Sequence, residues 1–282
     1  MQYLALFTES DNHYIIPEGL HNLGTSCYIN SAIQLLRACT ASRDELHGET
    51  ISKDDSEIIN VIRGNTPPQL GTFLTDKCGY KGKHEDPDEF LRTKIFPSIP
   101  NEVAKFYKYT WVYKLKDDSG ERTLPDEEGE FTFLHVLPTD KGTQTVQDLI
   151  NRYMLPERNV DVATGQMVKS TTNKTLAKHM IFLMKLTGYD KDEKKKFVYK
   201  QPLKSLDRNI KLTMQTSSTE FNYDLTASIY HSGNADIGHY ICYAKYGGRW
   251  YCCNDNSVTD VDEPPIPTDA LHVYMAAYTR ID

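Results

Sequence analysis

The last third of the chain carries the feature that most limits its fold, which is a series of short β-forming runs separated by turn residues. Gly247 and Gly248 stand between two such runs, and two glycines at that place predict a hairpin with a two-residue turn. Further strands are predicted over residues 131–137, 180–186, 225–231 and 239–246. We therefore expect this part of the chain to form a mostly antiparallel sheet.

The first third of the chain has a helical pattern. Apolar residues follow Cys27 with the i, i+3, i+4, i+7 spacing of an amphipathic helix, at Ile29, Ala32, Ile33 and Leu36. A second helix is predicted over 88–95, where Pro87 is tolerated in the first turn, and a short one over 145–153. Residues 40–56 and 114–130 are predicted as linkers, the second as a solvated loop or an extended hairpin, and 191–196 as a hairpin tip.

This order of elements predicts an α+β protein. Its length of 282 residues suffices for a single large domain. We expect that domain to be helical over residues 1–105 and β-rich over residues 106–282.

Composition and charge narrow the functional classes. Hydrophobic residues make up 39% and charged residues 25% of the chain, as in an ordinary globular protein. The net charge of −7 argues against a general nucleic-acid binder and favours a positively charged partner. No run approaches the length of a membrane span, and residues 1–12 lack the basic start and apolar run of a secretory signal. The six cysteines include no Cys-x-x-Cys pair, which favours reduced thiols in a cytosolic or nuclear protein without a metal or other cofactor.

Cys27 is the candidate nucleophile. It stands at the predicted start of a helix, where free N–H groups and the positive end of the helix dipole favour a thiolate. Gly19 and Gly24 before it allow a close approach of the backbone. The same N–H groups can receive an oxyanion, and Asn22 supplies an amide donor nearby in the sequence. For a cysteine taken alone, a buried structural role with Asn22 in a turn is the alternative.

A second segment supplies a candidate base. His239 follows a glycine at the start of a predicted strand, and Asn254 lies in the hairpin that comes next. Asn254 can hold one imidazole nitrogen while the other faces Cys27, which is the arrangement of nucleophile, base and orienting residue in catalytic triads. A zinc site formed by His239 with the cysteines at 242, 252 and 253 is a rival interpretation. Alternation along a strand places residues 239 and 242 on opposite faces, which argues against zinc.

These residues lie in segments that resemble a known family. Residues 19–36 are similar to the cysteine box of the ubiquitin-specific proteases. Residues 225–261 are similar to their histidine box, which here includes His231-Ser-Gly233, Gly238-His-Tyr240, Trp250-Tyr251 and Asn254-Asp255. Residues 84–91, His-Glu-Asp-Pro-Asp-Glu-Phe-Leu, resemble the family's Gln-x-Asp-x-x-Glu-Phe-Leu segment. The resemblance spans nearly the whole chain in the family's order.

The resemblance implies a papain-like cysteine protease with a thumb, a palm and fingers that grip ubiquitin and thread its C-terminal tail between thumb and palm. It implies a deubiquitinase in which Cys27 is the nucleophile, His239 the general base and Asn254 the residue that orients it. It further implies that Asn22 is the oxyanion donor, assisted by Asp255.

Five residues are implied to bind the substrate. Asp86 and Glu89 match the acidic positions that hold the arginine-containing tail, and His84 matches a further tail contact. Gly238 and Tyr240 lie where a loop over residues 231–238 borders the tail channel. The expected partner is ubiquitin or a ubiquitinated protein, with no nucleic acid and no membrane.

The chain departs from the family pattern at several positions. His84 stands where the family has Gln, Thr25-Ser26 replaces Asn-Thr, and Cys253 replaces an aromatic residue. The two Cys-x-x-Cys pairs of the family's zinc-binding fingers are absent between residues 96 and 238, so we expect short fingers without metal. These differences keep two alternatives open. One is a protease of the same fold for another ubiquitin-like modifier, and the other is a catalytically inactive ubiquitin-binding scaffold.

Overall fold

The computed structural model describes residues 17–39, 56–64, 69–117, 127–131, 133–136, 144–162, 165–184, 187–190, 195–198, 203–215, 217–234 and 237–281. Most of the predicted linker at 40–56 lies outside these residues, as do the tips predicted within 114–130 and 191–196. The strands on both sides of each tip are described, and they pair antiparallel, Tyr113 with Glu127 and Asp190 with Lys195. This confirms the extended-hairpin alternative at 114–130 and the hairpin around 191–196.

The described helices are concentrated before residue 105. They are α1 (Cys27–Cys39), α2 (Ser56–Ile62), α3 (Leu70–Asp76), α4 (Pro87–Phe90), α5 (Asn101–Ala104) and α6 (Val146–Tyr153). The helix predicted over 88–95 begins at Pro87, changes to a π-helical turn over Leu91–Ile95 and is followed by a 3₁₀ turn over Phe96–Ser98. None of the described helices is long and apolar enough to cross a membrane.

Local capping explains where two of these helices start. The Asp86 side chain accepts a hydrogen bond from the Asp88 amide at 2.7 Å, which satisfies one of the free N–H groups of α4. Thr145 and Asp148 exchange side-chain and backbone hydrogen bonds at the start of α6, forming a capping box. The short helix predicted over 145–153 is therefore confirmed.

The strands of the described residues form three sheets. They are β1 (Tyr109–Asp117), β2 (Glu127–Phe131), β3 (Phe133–Val136), β4 (Glu157–Val162), β5 (Gly165–Thr175), β6 (His179–Met184), β7 (Thr187–Asp190), β8 (Lys195–Val198), β9 (Asn209–Met214), β10 (Thr219–Gly233), β11 (Gly238–Tyr246), β12 (Arg249–Asn254), β13 (Ser257–Val261) and β14 (His272–Arg280). The largest sheet has the order β13-β12-β11-β10-β14-β6-β3, with β9 also paired to β10. A four-stranded sheet has the order β2-β1-β5-β4, and β7 pairs with β8. All pairs are antiparallel except β3 with β6.

The two-residue turn predicted at Gly247 and Gly248 is confirmed. Tyr246 pairs with Arg249, and both glycines have positive φ angles, 55° and 84°. Such angles are readily adopted by glycine, and they match the twist of the two flanking strands. The hairpin aligns β11 with β12, so residues at the start of β11 and the end of β12 lie side by side.

Helix α1 lies at the centre of the core, and every one of its side chains is buried. The apolar spacing predicted an amphipathic helix with one buried face and one exposed face. The helix itself is confirmed, but the expected exposed polar face is buried as well. The physical reason is that its polar residues bond to the surrounding backbone. Gln34 donates to the Glu18 carbonyl at 2.7 Å, and Arg37 donates to the Val61 carbonyl at 2.8 Å. These bonds avoid the cost of an unpaired buried polar group, about 1–3 kcal/mol each.

Candidate active site

Cys27 is the first residue of α1, as predicted, and only 2% of its surface is exposed. The nucleophile loop, residues 22–26, leads into it and turns at Gly24, where φ is +103°. The side-chain Oδ1 atom of Asn22 accepts hydrogen bonds from the amides of Gly24 at 2.8 Å and Ser26 at 3.1 Å. The first amides of a helix have no partner inside the helix, and Cys27 is the residue with which α1 begins.

His239 lies near the start of β11 and connects two other predicted residues. Its Nε2 atom is 2.7 Å from the Asn254 Oδ1 atom, and its side chain also forms a hydrogen bond with Cys27. Because an amide oxygen can only accept, Nε2 carries the proton and the other ring nitrogen is left for the sulfur. The structure thus brings together the three residues of the predicted triad.

The charge state of His239 follows from these contacts. Its pKa is raised from 6.5 to about 9, chiefly by the hydrogen bond to Cys27 and further by the bond to Asn254 and the charge of Asp255. Partial burial acts in the opposite direction and is outweighed. The imidazolium form is therefore favoured near neutral pH, which suits a residue that pairs with a thiolate.

Asp255 connects the sheet to the nucleophile loop. It lies in the two-residue turn between β12 and β13, with a φ of 53°, and its side chain is 11% exposed. One carboxylate oxygen accepts from the Asn22 Nδ2 atom at 2.8 Å, and the other accepts from the Asn30 Nδ2 atom at 2.8 Å. The carboxylate is also 3.9 Å from the His239 Nε2 atom. Asn22 keeps one N–H for an oxyanion, because its amide nitrogen carries two.

Gly19 lets this turn approach the segment before the nucleophile loop. A side chain at Gly19 would place its Cβ atom 2.3 Å from the carbonyl oxygen of Asn256, which is too close for any substituent. The Leu20 amide next to it donates to the Asp255 carbonyl at 2.8 Å. The close backbone approach predicted for Gly19 is confirmed.

The three predicted tail-binding residues at the start of α4 and just before it have different surroundings. His84 and Glu89 are exposed, whereas Asp86 is half-buried. One Asp86 oxygen caps α4, and the other accepts from the hydroxyl of Tyr274. Tyr274 lies in β14, and sequence analysis missed its link to Asp86. The roles of these residues toward a tail stay predictions.

Gly238 and Tyr240 lie beside His231 in the β10–β11 hairpin. A Cβ atom at Gly238 would lie 2.0 Å from the His231 Nε2 atom and 2.7 Å from the backbone oxygen of Ser232, so both would have to shift to admit a side chain. The ring of Tyr240 lies between His231, at a centroid distance of 4.7 Å, and Tyr274, at 5.3 Å. Burial and the neighbouring His272 lower the pKa of His231, so it adds little positive charge beside His239.

The loop predicted over 231–238 is shorter than expected. His231 pairs with Tyr240, and the ladder continues to Gly233 opposite Gly238. Residues 235–236 lie outside the described part of the chain. Sequence analysis placed the end of the strand too early, because the glycines and Ser232 gave no strand signal although their backbone still pairs.

Most of the other cysteines differ from Cys27 in their surroundings. Burial raises the pKa values of the thiols of Cys39, Cys78, Cys242 and Cys253, which disfavours their reactive thiolate forms. Cys242 and Cys253 face each other across β11 and β12 inside the core. Among the described residues, no group of three or more potential ligands lies together in a way that could hold a metal ion.

Comparison with known sequences gives matches to one family. Residues 144–278 match the family model described as ubiquitin carboxyl-terminal hydrolase. Mouse Ubl carboxyl-terminal hydrolase 18 is 24% identical, over 85% of this chain and 77% of its own length. Ubiquitin carboxyl-terminal hydrolase 32 of Drosophila melanogaster is 41% identical, over 21% of this chain and 3% of its own length. The chain thus spans most of the first relative and a small part of the second.

Comparison with solved structures establishes the fold. The SAGA DUB module of Ubp8, Sgf11, Sus1 and Sgf73 bound to monoubiquitin matches with a TM-score of 0.71 at 15% identity, over 94% of this chain and 69% of the matched chain. The same module bound to ubiquitin aldehyde matches with a TM-score of 0.69 at 14% identity, over 94% and 70% of the two chains. Residues 144–278 therefore match the ubiquitin carboxyl-terminal hydrolase family, and the fold of the chain is that of a ubiquitin-specific protease catalytic domain.

Proposed function

We propose that this protein is a deubiquitinating cysteine protease that hydrolyses the bond after the C-terminal glycine of ubiquitin. The observation that carries the proposal is the position of His239. It is hydrogen-bonded to Asn254 on one side and to Cys27 on the other, and its pKa is raised to about 9. A histidine held in this way can keep its proton while a thiolate attacks and can then give it to the leaving group.

The first half of the reaction is acylation. The sulfur of Cys27 forms a bond to the carbonyl carbon of the terminal glycine, and the carbonyl oxygen becomes an oxyanion. The first amides of α1 and the remaining N–H of Asn22 are placed to receive that charge. His239 then gives its proton to the departing amine of the target lysine, the carbon–nitrogen bond breaks, and a thioester to Cys27 is left.

The second half is hydrolysis of the thioester. His239, now neutral, takes a proton from a water molecule whose oxygen bonds to the same carbonyl carbon. The carbon–sulfur bond breaks, and the thiolate of Cys27 forms again beside the imidazolium. Asn254 holds the ring in one orientation through both halves, because its oxygen accepts from the Nε2 atom throughout.

The surroundings of Cys27 support a thin, flexible substrate segment. Its sulfur lies below the surface, since only 2% of the residue is exposed. The absence of a side chain at Gly238 leaves room for His231, whose ring contacts that of Tyr240, and Tyr240 in turn contacts the ring of Tyr274. A Gly-Gly chain end can enter such a site, whereas bulky residues are excluded by size.

A second candidate substrate is another ubiquitin-like modifier. The supporting observation is that the mouse relative matched over 85% of this chain is named as a Ubl carboxyl-terminal hydrolase. Modifiers with a similar chain end can share the nucleophile and base, so the choice between substrates depends on surfaces outside the described site.

Hydrolysis of fluorogenic C-terminal conjugates tests both candidates. Ubiquitin and a panel of ubiquitin-like modifiers are compared by kcat/KM, with Cys27→Ala as the inactive control. Cleavage of ubiquitin above the other conjugates supports the first candidate. Cleavage of another modifier alone supports the second, and cleavage of none, with ubiquitin still bound, would identify an inactive scaffold.

A further inference from the structure

The nucleophile loop is held by a tyrosine that sequence analysis did not single out. The hydroxyl of Tyr80 donates to the Leu23 carbonyl at 3.1 Å, and it accepts from the Thr25 amide at 3.3 Å. The Thr25 hydroxyl lies 2.8 Å from the Tyr80 hydroxyl and acts as a second donor to it. A tyrosine hydroxyl has one proton and two lone pairs. The Tyr80 hydroxyl therefore uses its whole hydrogen-bonding capacity on this loop.

These bonds differ in origin from the others that order the loop. The amides of Gly24 and Ser26 donate to the side chain of Asn22, and the amide of Leu23 donates to the Ser26 hydroxyl at 3.0 Å. Those partners belong to the loop itself, which Asp255 holds from outside at Asn22. Tyr80 lies 55 residues away from Thr25 in the sequence, so it fixes the loop relative to the rest of the fold.

Tyr80 is itself anchored. Its backbone amide donates to the Leu74 carbonyl at 2.9 Å, in the turn that ends α3. Its ring packs against the hydrophobic core. Another hydrogen bond joins this segment to the residue after Cys27, because the Tyr28 hydroxyl donates to the Glu85 carboxylate at 3.0 Å. The segment between α3 and α4 therefore holds the chain on both sides of the nucleophile.

We propose that Tyr80 is a positioning residue for the reaction, which holds residues 23–25 so that the donors beside Cys27 are correctly placed for the oxyanion. It does not touch the reacting atoms. The inference rests on the proposed function, because an oxyanion forms only if Cys27 attacks a carbonyl. Donors that act on the developing charge contribute to kcat, and they contribute little to substrate binding.

The test is Tyr80→Phe, which keeps the ring and removes the hydroxyl. We expect kcat to fall about ten-fold, with KM changed by less than about two-fold, because a small displacement of reacting groups is costly. The matched control is Tyr223→Phe, which removes a buried hydroxyl that donates to the Ala177 carbonyl at 2.7 Å and not to the nucleophile loop. The control should lower the melting temperature and leave kcat unchanged.

A double variant checks the route of the effect. If Tyr80 acts through Thr25 and Leu23, then adding Thr25→Ala to Tyr80→Phe should lower kcat by no more than about two-fold further, because the contact is already lost. An additive loss would overturn this route. A kcat of Tyr80→Phe equal to that of the wild type would overturn the proposal itself.

Amide hydrogen exchange gives a readout that needs no substrate. In Tyr80→Phe the amide of Thr25 should exchange faster, while that of Gly24, bonded to Asn22, should stay protected. Unchanged exchange at Thr25 would overturn the proposal even if the wild-type protein cleaved no conjugate. Inactivity of the wild-type protein would count against the proposed function alone, so the two failures are distinguishable.

Discussion

Asp255→Asn tests the contact between the sheet and the nucleophile loop. The change replaces one carboxylate oxygen with an NH₂ group that faces the NH₂ group of Asn22 or Asn30, so one hydrogen bond is lost and the other becomes a bond between neutral groups. Both bonds are 2.8 Å long, and the Asp255 side chain is only 11% exposed. Asparagine tolerates the positive φ of 53° at this turn, so the backbone should keep its conformation.

The size of the effect follows from the bonds that are changed. A hydrogen bond to a charged group contributes about 1.5–3 kcal/mol, whereas one between neutral groups contributes about 0.5–1.5 kcal/mol. Losing one bond and weakening the other should lower the free energy of unfolding by about 2–4 kcal/mol. For a chain of this size that cost corresponds to a melting temperature lower by roughly 3–7 °C. Displacement of Asn22 should also lower kcat by about ten- to a hundred-fold.

Thermal unfolding and hydrolysis of the preferred fluorogenic conjugate measure the two effects. The matched control is Asp260→Asn, a carboxylate in the next strand that is 61% exposed and lies 3.9 Å from the Arg249 guanidinium. Removing an exposed charge of this kind should cost less than about 0.5 kcal/mol. If Asp255→Asn resembles the control in both melting temperature and kcat, the inference that Asp255 holds the loop is refuted.

Three further predictions concern the nucleophile, the base and the close approach before the loop. Cys27→Ala should abolish turnover and leave ubiquitin binding by calorimetry unchanged; turnover that persists would show that another residue is the nucleophile. The pKa of His239 is about 9 in the folded protein and 6.5 ordinarily, so its contribution to stability is fully present below pH 6.5 and is lost as the pH rises through 9. The melting temperature should therefore fall more between pH 6.5 and pH 9.5 in the wild type than in Cys27→Ala, and equal falls would contradict the assigned pair. Gly19→Ala should lower the melting temperature by several degrees, because its Cβ atom would lie 2.3 Å from a backbone oxygen. Gly71→Ala in α3 is the control and should not lower it, because its Cβ atom would meet its nearest neighbour at an ordinary contact distance of 3.7 Å.

Local signals in the sequence were sufficient for several parts of the fold. The turn at Gly247 and Gly248, the capped start of α6 at Thr145 and the helix beginning at Cys27 each depend on residues that are neighbours in the chain. Their backbone conformations follow from glycine freedom, capping and apolar spacing. These are the features that a sequence pattern can report without knowledge of the tertiary structure.

The contacts that assemble the site are of another kind. Asp255 is 233 residues from Asn22 and 225 from Asn30, and Tyr80 is 55 from Thr25. No local pattern records which distant side chains meet, so the sequence predicted Asp255 only through the family resemblance and did not predict the partners. The buried polar residues of α1 were missed for the same reason, since their partners are carbonyl groups of distant segments.

Helix α1, Asp255 and Tyr80 all hold the chain around Cys27, but they differ in how much they contribute to stability and how much to the proposed reaction. Helix α1 is buried on every side, so Cys27 cannot shift unless the core is repacked. Asp255 serves both purposes, because Asn30 belongs to that helix while Asn22 belongs to the loop. The Tyr80 hydroxyl bonds only to the loop and the residue is half-buried, so removing that hydroxyl should cost little stability of the whole domain. Stability should therefore fall most for changes in α1, less for Asp255 and least for Tyr80, whereas kcat should be sensitive to all three.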